Sequence, residues 1–201
     1  MSSNNRILIK NEKVMMSTPP HIIGRGAMGE VYLATYQEET VVVKKSQRGV
    51  IDNTLLQEYS NYFKLQNHRN ILKFYGVIKD TGDIRDGRYS FSLVLEYAPN
   101  GNLSSYLKTN TVTWSFKAKV CRDIALGLMH CHDNNVLHFD LKPENVLLDK
   151  DLVPKLADFG ISKSKSQMIL DNGKAGGTMN YVAPERVCRD MKMRGFFDKY
   201  A

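Results

Sequence analysis

Apolar and polar residues alternate along much of the first half of the chain, which is the pattern of half-buried β-strands. One helix is predicted within this half, from Val50 to Leu65, because apolar residues there recur at helical spacing. A polar hairpin from Lys79 to Ser90 separates the last two strands. The five predicted strands are HIIGRG (21–26), GEVYLATY (29–36), TVVVKK (40–45), ILKFYGVI (71–78) and FSLVLEYA (91–98).

The second half of the chain begins with a long helix. Thr113 is suited to cap its first turn, and the segment DNN (133–135) is suited to end it. Two short strands follow, NVLLD (145–149) and VPKLAD (153–158). A β-rich half before a helix-led half predicts an α+β protein with two lobes and a hinge near residues 97–101. One face of the long helix is marked by Trp114, Ala118, Cys121, Ala125 and Leu128.

Composition narrows the class of protein. The chain has 201 residues, of which 42% are apolar and 24% charged, as in ordinary globular proteins. It has no apolar run approaching the roughly 18 residues that span a bilayer, and the start MSSNNRILIKNEK does not resemble a signal peptide. We therefore expect no membrane span and a location in the cytoplasm or the nucleus.

The chain is basic, with a formal net charge of +7. Its lysines and arginines are scattered among 21 acidic residues and form no long run, so we expect no nucleic-acid partner. The three cysteines have neither the even number of a disulfide framework nor the paired spacing of a zinc site. They are expected to be reduced and mostly buried.

Three glycines between the first two predicted strands form a G-x-G-x-x-G pattern: Gly24, Gly26 and Gly29. Glycines allow a phosphate to approach backbone N–H groups closely. The dinucleotide-binding version of this motif requires a helix after the glycines, whereas here a strand follows. By itself the motif is equally compatible with a glycine-rich hairpin turn.

A lysine ends the third predicted strand. Lys44 lies on the same face as Val42, and an ammonium at the edge of a buried strand needs an anionic partner. Glu58, on the following helix, is the candidate partner. Lys45 is the rival lysine, but it points to the opposite face, so Lys44 is favoured.

Further along, HFDLKPEN (138–145), DFG (158–160) and APE (183–185) follow in that order. Together with the glycine loop, the strand lysine and the helix glutamate, they resemble the motifs of the eukaryotic protein kinases. The loop DLKPEN and the segment GGTMNYVAPE resemble the serine/threonine type, and Thr178 lies where such enzymes bond a threonine to the catalytic aspartate and lysine. The segments around HRNILKFYGV and LVLEYAPNGNLSSYL look most like the tyrosine-kinase-like branch.

The resemblance implies an ATP-dependent kinase that phosphorylates serine or threonine in proteins, and it assigns roles to individual residues. Lys44, paired with Glu58, would hold the α- and β-phosphates, Asp140 would orient the acceptor hydroxyl, and Lys142 would neutralise charge on the transferred group. Asn145 and Asp158 would bind Mg²⁺. The nucleotide would contact Ile23, Gly24, Gly26, Gly29, Val31, Val42, Lys44, Leu95 as gatekeeper, the backbone of Glu96 and Ala98, and Leu147.

The resemblance also predicts the organisation of the chain. It implies an N-terminal extension (1–18), a small lobe (19–97) and a large lobe (98–201). Because relatives continue beyond the APE motif into further helices, the large lobe is expected to be incomplete and the chain to be a truncated form of low stability and activity. A pseudokinase or a truncated non-catalytic fragment that binds nucleotide or a protein partner is the alternative.

One residue departs from the family pattern. Phe139 occupies the position where most members have an arginine that pairs with a phosphate on the activation loop. Without this arginine, a phosphate on the loop could not use that pairing. The resemblance therefore implies that Phe139 alters regulation and leaves the chemistry of Asp140 intact.

Overall fold

The structure is a computed structural model, which describes residues 8–26, 29–45, 53–80, 90–164, 166–167 and 177–182. The chain divides into two compact units. The first consists of Met1–Tyr59 and Lys73–Tyr97, and the second of Ser60–Leu72 and Ala98–Ala201. The change of unit after Tyr97 falls in the predicted hinge, whereas residues 60–72, assigned above to the small lobe, group with the second unit.

The first unit is built on a sheet. Within the described residues its strand order is β1-β6-β7-β5-β4-β2, and β3 also pairs with β4. A two-residue turn joins β4 to β5, with Gln37 and Glu38 at φ 51° and 65°, the left-handed backbone that such hairpin turns require. The strands are β1 (Leu8–Ile9), β2 (Val14–Met16), β3 (Ile22–Gly26), β4 (Gly29–Tyr36), β5 (Glu39–Lys45), β6 (Phe74–Asp80) and β7 (Ser90–Glu96).

Strands β1 and β2 are not in the sequence prediction, which treats residues 1–18 as an extension. The structure shows that β1 pairs in parallel with β6 and that β2 pairs antiparallel with β4. Ile9 and Val14 are buried in the same cluster as Val41, Val43 and Val94. Strands of two and three residues are too short to show a periodicity, so only their pairing reveals them.

Helix α1 (Asn53–Lys64) follows β5. The division between the two units falls within this helix, since Tyr59 is assigned to the first unit and Ser60 to the second. The predicted helix is present, although its first residues, 50–52, lie outside the described residues. Its buried residues include two that are polar, Glu58 and Asn61. Phe63, one of the apolar residues of this helix, is half exposed.

The second unit contains helices α2 (Leu103–Thr109) and α3 (Trp114–Asp133) and the strand pair β8 (Val146–Leu148) and β9 (Pro154–Leu156). The side chain of Thr113 accepts a hydrogen bond from the N–H of Phe116 (3.2 Å), which confirms the predicted cap of α3. Helix α2 is absent from the sequence prediction because its seven residues are too few to show a helical repeat of apolar positions. None of the described helices is long and apolar enough to span a bilayer.

The buried face of α3 differs from the face that the sequence indicates. Of the predicted stripe, Leu128 is buried, while Trp114 is 83% exposed and Cys121 is also exposed. Of the cysteines, which were expected to be mostly buried, Cys131 is buried, Cys121 is not, and Cys188 lies outside the described residues. The helix instead packs through a face that contains Gly127. A Cβ at this glycine would lie 3.0 Å from both the carbonyl oxygen of Asn70 and a methyl of Leu156. Because Gly127 has no side chain, helix α3 can pack closely against these two residues.

Candidate active site

The loop between α3 and β8 carries the aspartate singled out above, in the second unit. His138 is fully buried, and its Nδ1 accepts a hydrogen bond from the N–H of Asp140 (3.3 Å). Pro143 then begins a short 3-10 helix, Pro143–Asn145, a position that suits proline because no N–H is needed there. These local features direct Asp140, Lys142 and Asn145 into one small region.

The carboxylate of Asp140 lies at the centre of a hydrogen-bonded cluster. Its Oδ1 accepts from the N–H (2.9 Å) and the hydroxyl (2.8 Å) of Thr178. Its Oδ2 lies 2.8 Å from Lys142 Nζ and accepts from Asn145 Nδ2 at 2.9 Å. Lys142 also donates to the Thr178 hydroxyl at 2.6 Å. The arrangement that the resemblance implied for Thr178 is therefore present.

This environment sets the ionisation of Asp140. Burial by itself raises the pKa of the carboxyl, but hydrogen bonds from Lys142 and Thr178, together with the positive charge of Lys142, outweigh burial and lower the pKa below its ordinary value. Asp140 is thus a carboxylate throughout the neutral range. A carboxylate so well supplied with donors orients a hydroxyl more readily than it removes a proton outright.

Asn145 and Asp158 lie near the same end of the β8–β9 pair. Asn145 directly precedes β8 and Asp158 follows β9 by two residues, with the N–H of Ala157 bonded to the carbonyl of Asn145 at 3.0 Å. Asn145 uses its amide N–H to reach Asp140, so its amide oxygen is the atom suited to a cation. One carboxylate and one amide oxygen fit Mg²⁺, which usually takes few protein ligands and completes its shell with phosphates and water.

The side chains near Asp140 are poorly suited to metals other than magnesium. Among the described residues there is no group of three or more His, Cys, Asp or Glu that could hold a metal ion. The donors near Asp140 are hard oxygen atoms. The residues therefore suit a magnesium ion that arrives with phosphates better than a permanently bound transition metal.

Phe139 and Gly177 bring two distant segments of the second unit together. Phe139 is 5% exposed and has φ 66°, a left-handed conformation that is costly for a large side chain. Gly177, next to Thr178, has φ 148°, and a Cβ there would lie 2.9 Å from the carbonyl oxygen of Phe139. A glycine at position 177 therefore allows Thr178 to reach Asp140.

The predicted ion pair lies in the first unit. Lys44 Nζ is 2.7 Å from Glu58 Oε2, and both side chains are largely buried. Lys45 points to the other face of β5, where its ammonium lies over the ring of Tyr32 at 5.3 Å from the centroid. Of the two lysines considered from the sequence, Lys44 is the one that pairs with Glu58.

The predicted nucleotide contacts of the first unit cluster on neighbouring strands. Gly24 is paired with Val31 across β3 and β4, and Val42 with Leu95 across β5 and β7. Gly29 has φ 123°, which only a glycine adopts readily. The remaining predicted residues of this unit are Ile23, which is exposed on β3, Gly26, which is paired with Gly29, and Glu96 at the end of β7.

Two backbone positions can be described more closely. The N–H of Glu96 donates to the carbonyl of Lys73 (2.9 Å), so any bond from the Glu96 backbone to a nucleotide would use its carbonyl oxygen. In the second unit, Ala98 accepts a bond from the N–H of Gly101 (3.1 Å), and Leu147 is half-buried in β8. Because the carbonyl of Ala98 already accepts this bond, its backbone N–H is the group that would donate a hydrogen bond to a nucleotide.

Two further residues, to which the sequence assigned no functional role, contact the DFG segment in the second unit. Asn61 donates to the carbonyl of Phe159 (3.1 Å), and the Tyr62 hydroxyl accepts from the N–H of Asp158 (3.4 Å). A polar residue amid the apolar positions of α1 is the only signal in the sequence that could have marked Asn61.

Comparison with known proteins gives a consistent result. A family model described as "Protein kinase domain" matches residues 18–201. The chain is 31% identical over 172 residues to L-type lectin-domain containing receptor kinase VIII.2 of Arabidopsis thaliana, covering 82% of this chain and 23% of that protein. It is 32% identical over 171 residues to human receptor-interacting serine/threonine-protein kinase 3, covering 82% and 32%.

A third relative has the words dual specificity in its name. Dual specificity protein kinase shkB of Dictyostelium discoideum is 32% identical over 176 residues, covering 81% of this chain and 25% of that protein. This chain thus spans about a quarter to a third of the length of these curated relatives.

Proposed function

Because this chain belongs to the protein kinase family and is by family a serine/threonine kinase, we propose that it transfers the γ-phosphoryl group of ATP to serine or threonine hydroxyls of proteins, with Mg²⁺ as the metal. The observation that carries this proposal is the cluster of Asp140, Lys142, Asn145 and Thr178. All four side chains have the chemistry that phosphoryl transfer to a hydroxyl requires.

In the proposed reaction, Asp140 accepts a hydrogen bond from the acceptor hydroxyl and holds its oxygen toward the γ-phosphorus. The P–O bond to the nucleotide breaks as the bond to the acceptor oxygen forms, ADP leaves, and the hydroxyl proton passes to Asp140 or to solvent. Lys142, bonded to both Asp140 and Thr178, places its positive charge beside the transferred group. Much of the rate acceleration would come from holding the reacting groups in fixed positions, because the side chains form no covalent bond with the substrate.

Three residues would serve ATP and its metal. Lys44, held by Glu58, would bind phosphate oxygens, since its ammonium is a fixed positive charge near the glycine-rich strands. Asn145 and Asp158 would hold Mg²⁺ through oxygen atoms. Bound Mg²⁺ supplies charge neutralisation on the phosphates.

The hydroxyl acceptor is proposed to belong to serine or threonine. This choice rests on DLKPEN and Thr178, together with the names of the relatives, of which one is described as dual specificity. Tyrosine is therefore included among the acceptors to be tested. Equal labelling of tyrosine and of serine or threonine would refute the narrower part of the proposal.

The direct test is transfer of radiolabel from γ-labelled ATP to general protein acceptors, with phosphoamino-acid analysis of the product. Asp140→Asn keeps the shape of the side chain but removes the carboxylate, and a loss of about 10²- to 10⁴-fold in rate is expected for a group that positions the nucleophile and can accept its proton. Lys44→Met is expected to abolish most activity, and Lys45→Met to retain it.

The outcomes separate the two functional classes. Circular dichroism and binding of a fluorescent ATP analogue are measured on every variant. If the parent transfers no label but binds the Mg²⁺ complex of the analogue, the alternative holds, a pseudokinase or a non-catalytic fragment that binds nucleotide. If Asp140→Asn matches the parent in rate, the proposed mechanism is wrong.

A further inference from the structure

The first turn of the DFG segment is held by a buried amide from helix α1. Asn61 is 1% exposed, and its Nδ2 donates to two carbonyl oxygens, those of Phe159 (3.1 Å) and Ser162 (3.3 Å). Both of these residues are fully buried. A single amide therefore satisfies two acceptors on either side of one turn, since the N–H of Ser162 also bonds to the carbonyl of Phe159 (3.2 Å).

The next residue of the helix contacts the aspartate itself. The Tyr62 hydroxyl accepts from the N–H of Asp158 (3.4 Å), and its ring meets that of Phe159 edge-on, with centroids 5.1 Å apart. On its other side the Phe159 ring lies 4.9 Å from that of His138. The DFG segment is thus placed between α1 and the loop that carries Asp140.

Asp158 needs such support because of its backbone. Its φ of 65° lies in the left-handed region, which a non-glycine residue occupies only when its surroundings hold it there. The bonds from Asn61 lie one and four residues beyond Asp158, and the bond to Tyr62 lies at Asp158 itself. Together these hydrogen bonds hold the backbone at Asp158 and so orient its carboxylate.

We propose that Asn61 is a positioning residue for phosphoryl transfer: by holding the carbonyls of Phe159 and Ser162, its amide keeps the Asp158 carboxylate where it can bind the metal of the nucleotide complex. The effect on rate rests on the proposed kinase function, whereas the effect on backbone order does not. Tyr62 acts in the same direction through a single, longer hydrogen bond.

The test uses the whole chain with Asn61→Leu, which keeps the approximate size of the side chain and removes both N–H donors without burying a charge. Asn134→Leu is the matched control, because Asn134 also donates an amide N–H to a backbone carbonyl, that of His130 (2.8 Å), at the far end of α3. Tyr62→Phe, which removes one hydroxyl, is the second variant and remains informative if Asn61→Leu does not fold.

Three measurements are made on each variant: hydrogen exchange of the amides of residues 157–162, the Mg²⁺ concentration that half-saturates binding of a fluorescent ATP analogue, and the same concentration for the phosphoryl transfer rate. Asn61→Leu is expected to speed exchange and to raise both Mg²⁺ concentrations by about two- to tenfold, the effect of losing one hydrogen bond. The KM for the protein acceptor is expected to stay the same. Tyr62→Phe shows a smaller change of the same kind.

Each outcome bears on one part of the proposal. Unchanged exchange in both variants refutes the backbone clamp. Faster exchange with an unchanged Mg²⁺ dependence of analogue binding shows that Asn61 has only a structural role, which also refutes the proposal. If the parent shows no phosphoryl transfer, the proposed function fails, while exchange and analogue binding still decide whether Asn61 positions Asp158.

Discussion

The ion pair of Lys44 and Glu58 allows a quantitative test of how the first unit is held together. The side chains are 13% and 2% exposed, and the two charged atoms are 2.7 Å apart. Removal of one member of a buried pair leaves the other charge in a poorly solvated place, which costs about 3–5 kcal/mol. For a chain of this size that loss lowers Tm by about 6–20 °C.

The two single variants are expected to differ. Lys44→Met leaves a carboxylate that is almost inaccessible to water, so it should show the full effect. Glu58→Leu leaves an ammonium on a flexible stem that can turn toward solvent, so its cost should fall at or below the lower end of that range. Acidification should restore part of the stability of Lys44→Met, because protonation neutralises the buried carboxylate, and should not restore that of Glu58→Leu.

The double variant carrying both Lys44→Met and Glu58→Leu removes both charges and replaces them with apolar groups. Replacement of a buried ion pair by apolar residues of similar volume is often neutral or stabilising, so the double variant is expected within about 1 kcal/mol of the parent. The two changes would then be non-additive by several kcal/mol, as expected for residues in direct contact.

The assay is urea denaturation followed by far-ultraviolet circular dichroism, at one neutral and one mildly acidic pH, with Lys45→Met as the control. Lys45 lies over the Tyr32 ring, a contact worth only about 0.5–1 kcal/mol. Single variants that each cost less than about 1 kcal/mol and add in the double variant would refute the reasoning, because they would mean that the pair behaves as a solvent-exposed one.

Three further predictions concern other parts of the molecule. Thr178→Val is expected to lower kcat/KM by about 10- to 150-fold, the cost of a hydrogen bond to a charged group, whereas Thr178→Ser should stay near the parent in the same kinase assay. Burial, and then the neighbouring His130 and Lys155, lower the pKa of His68, so the unfolding free energy should fall as pH drops below about 6.5 toward the lower folded value. His68→Gln should make that pH profile flatter, and an unchanged slope would contradict this assignment. Ile9→Ala should lower the unfolding free energy by about 2–5 kcal/mol in denaturation experiments, because Ile9 is buried, although it precedes the range that the family model matches. Met15→Ala, at a side chain 66% exposed, is the control and should lower it by less than about 0.5 kcal/mol.

The position of Phe139 connects sequence and structure. The resemblance alone identified it as the residue that replaces an arginine, with a consequence for regulation and none for the chemistry of Asp140. The structure adds that the side chain is buried, and that its carbonyl lies against Gly177. A phenylalanine at this position therefore packs into the second unit, and the adjoining Thr178 is held through hydrogen bonds to Asp140.

The sequence by itself determined the fold class, most of the strands and the long helices, because alternation and helical spacing are local properties of a chain. It also determined the family and the candidate residues Lys44, Asp140, Asn145 and Asp158, since their motifs keep their order and spacing. For the same reason it could not find β1 and β2, whose burial depends on pairing with β6 and β4.

Only the tertiary structure decided which side chains meet across long separations in sequence. It paired Lys44 with Glu58 in preference to Lys45, assembled Thr178 with Asp140 and Lys142, and placed Asn61 against the carbonyls of Phe159 and Ser162. It also reversed the expected role of the Trp114 face of α3, which is largely exposed. Periodicity shows that a face is apolar, but burial depends on what packs against that face, and packing is a property of the folded chain.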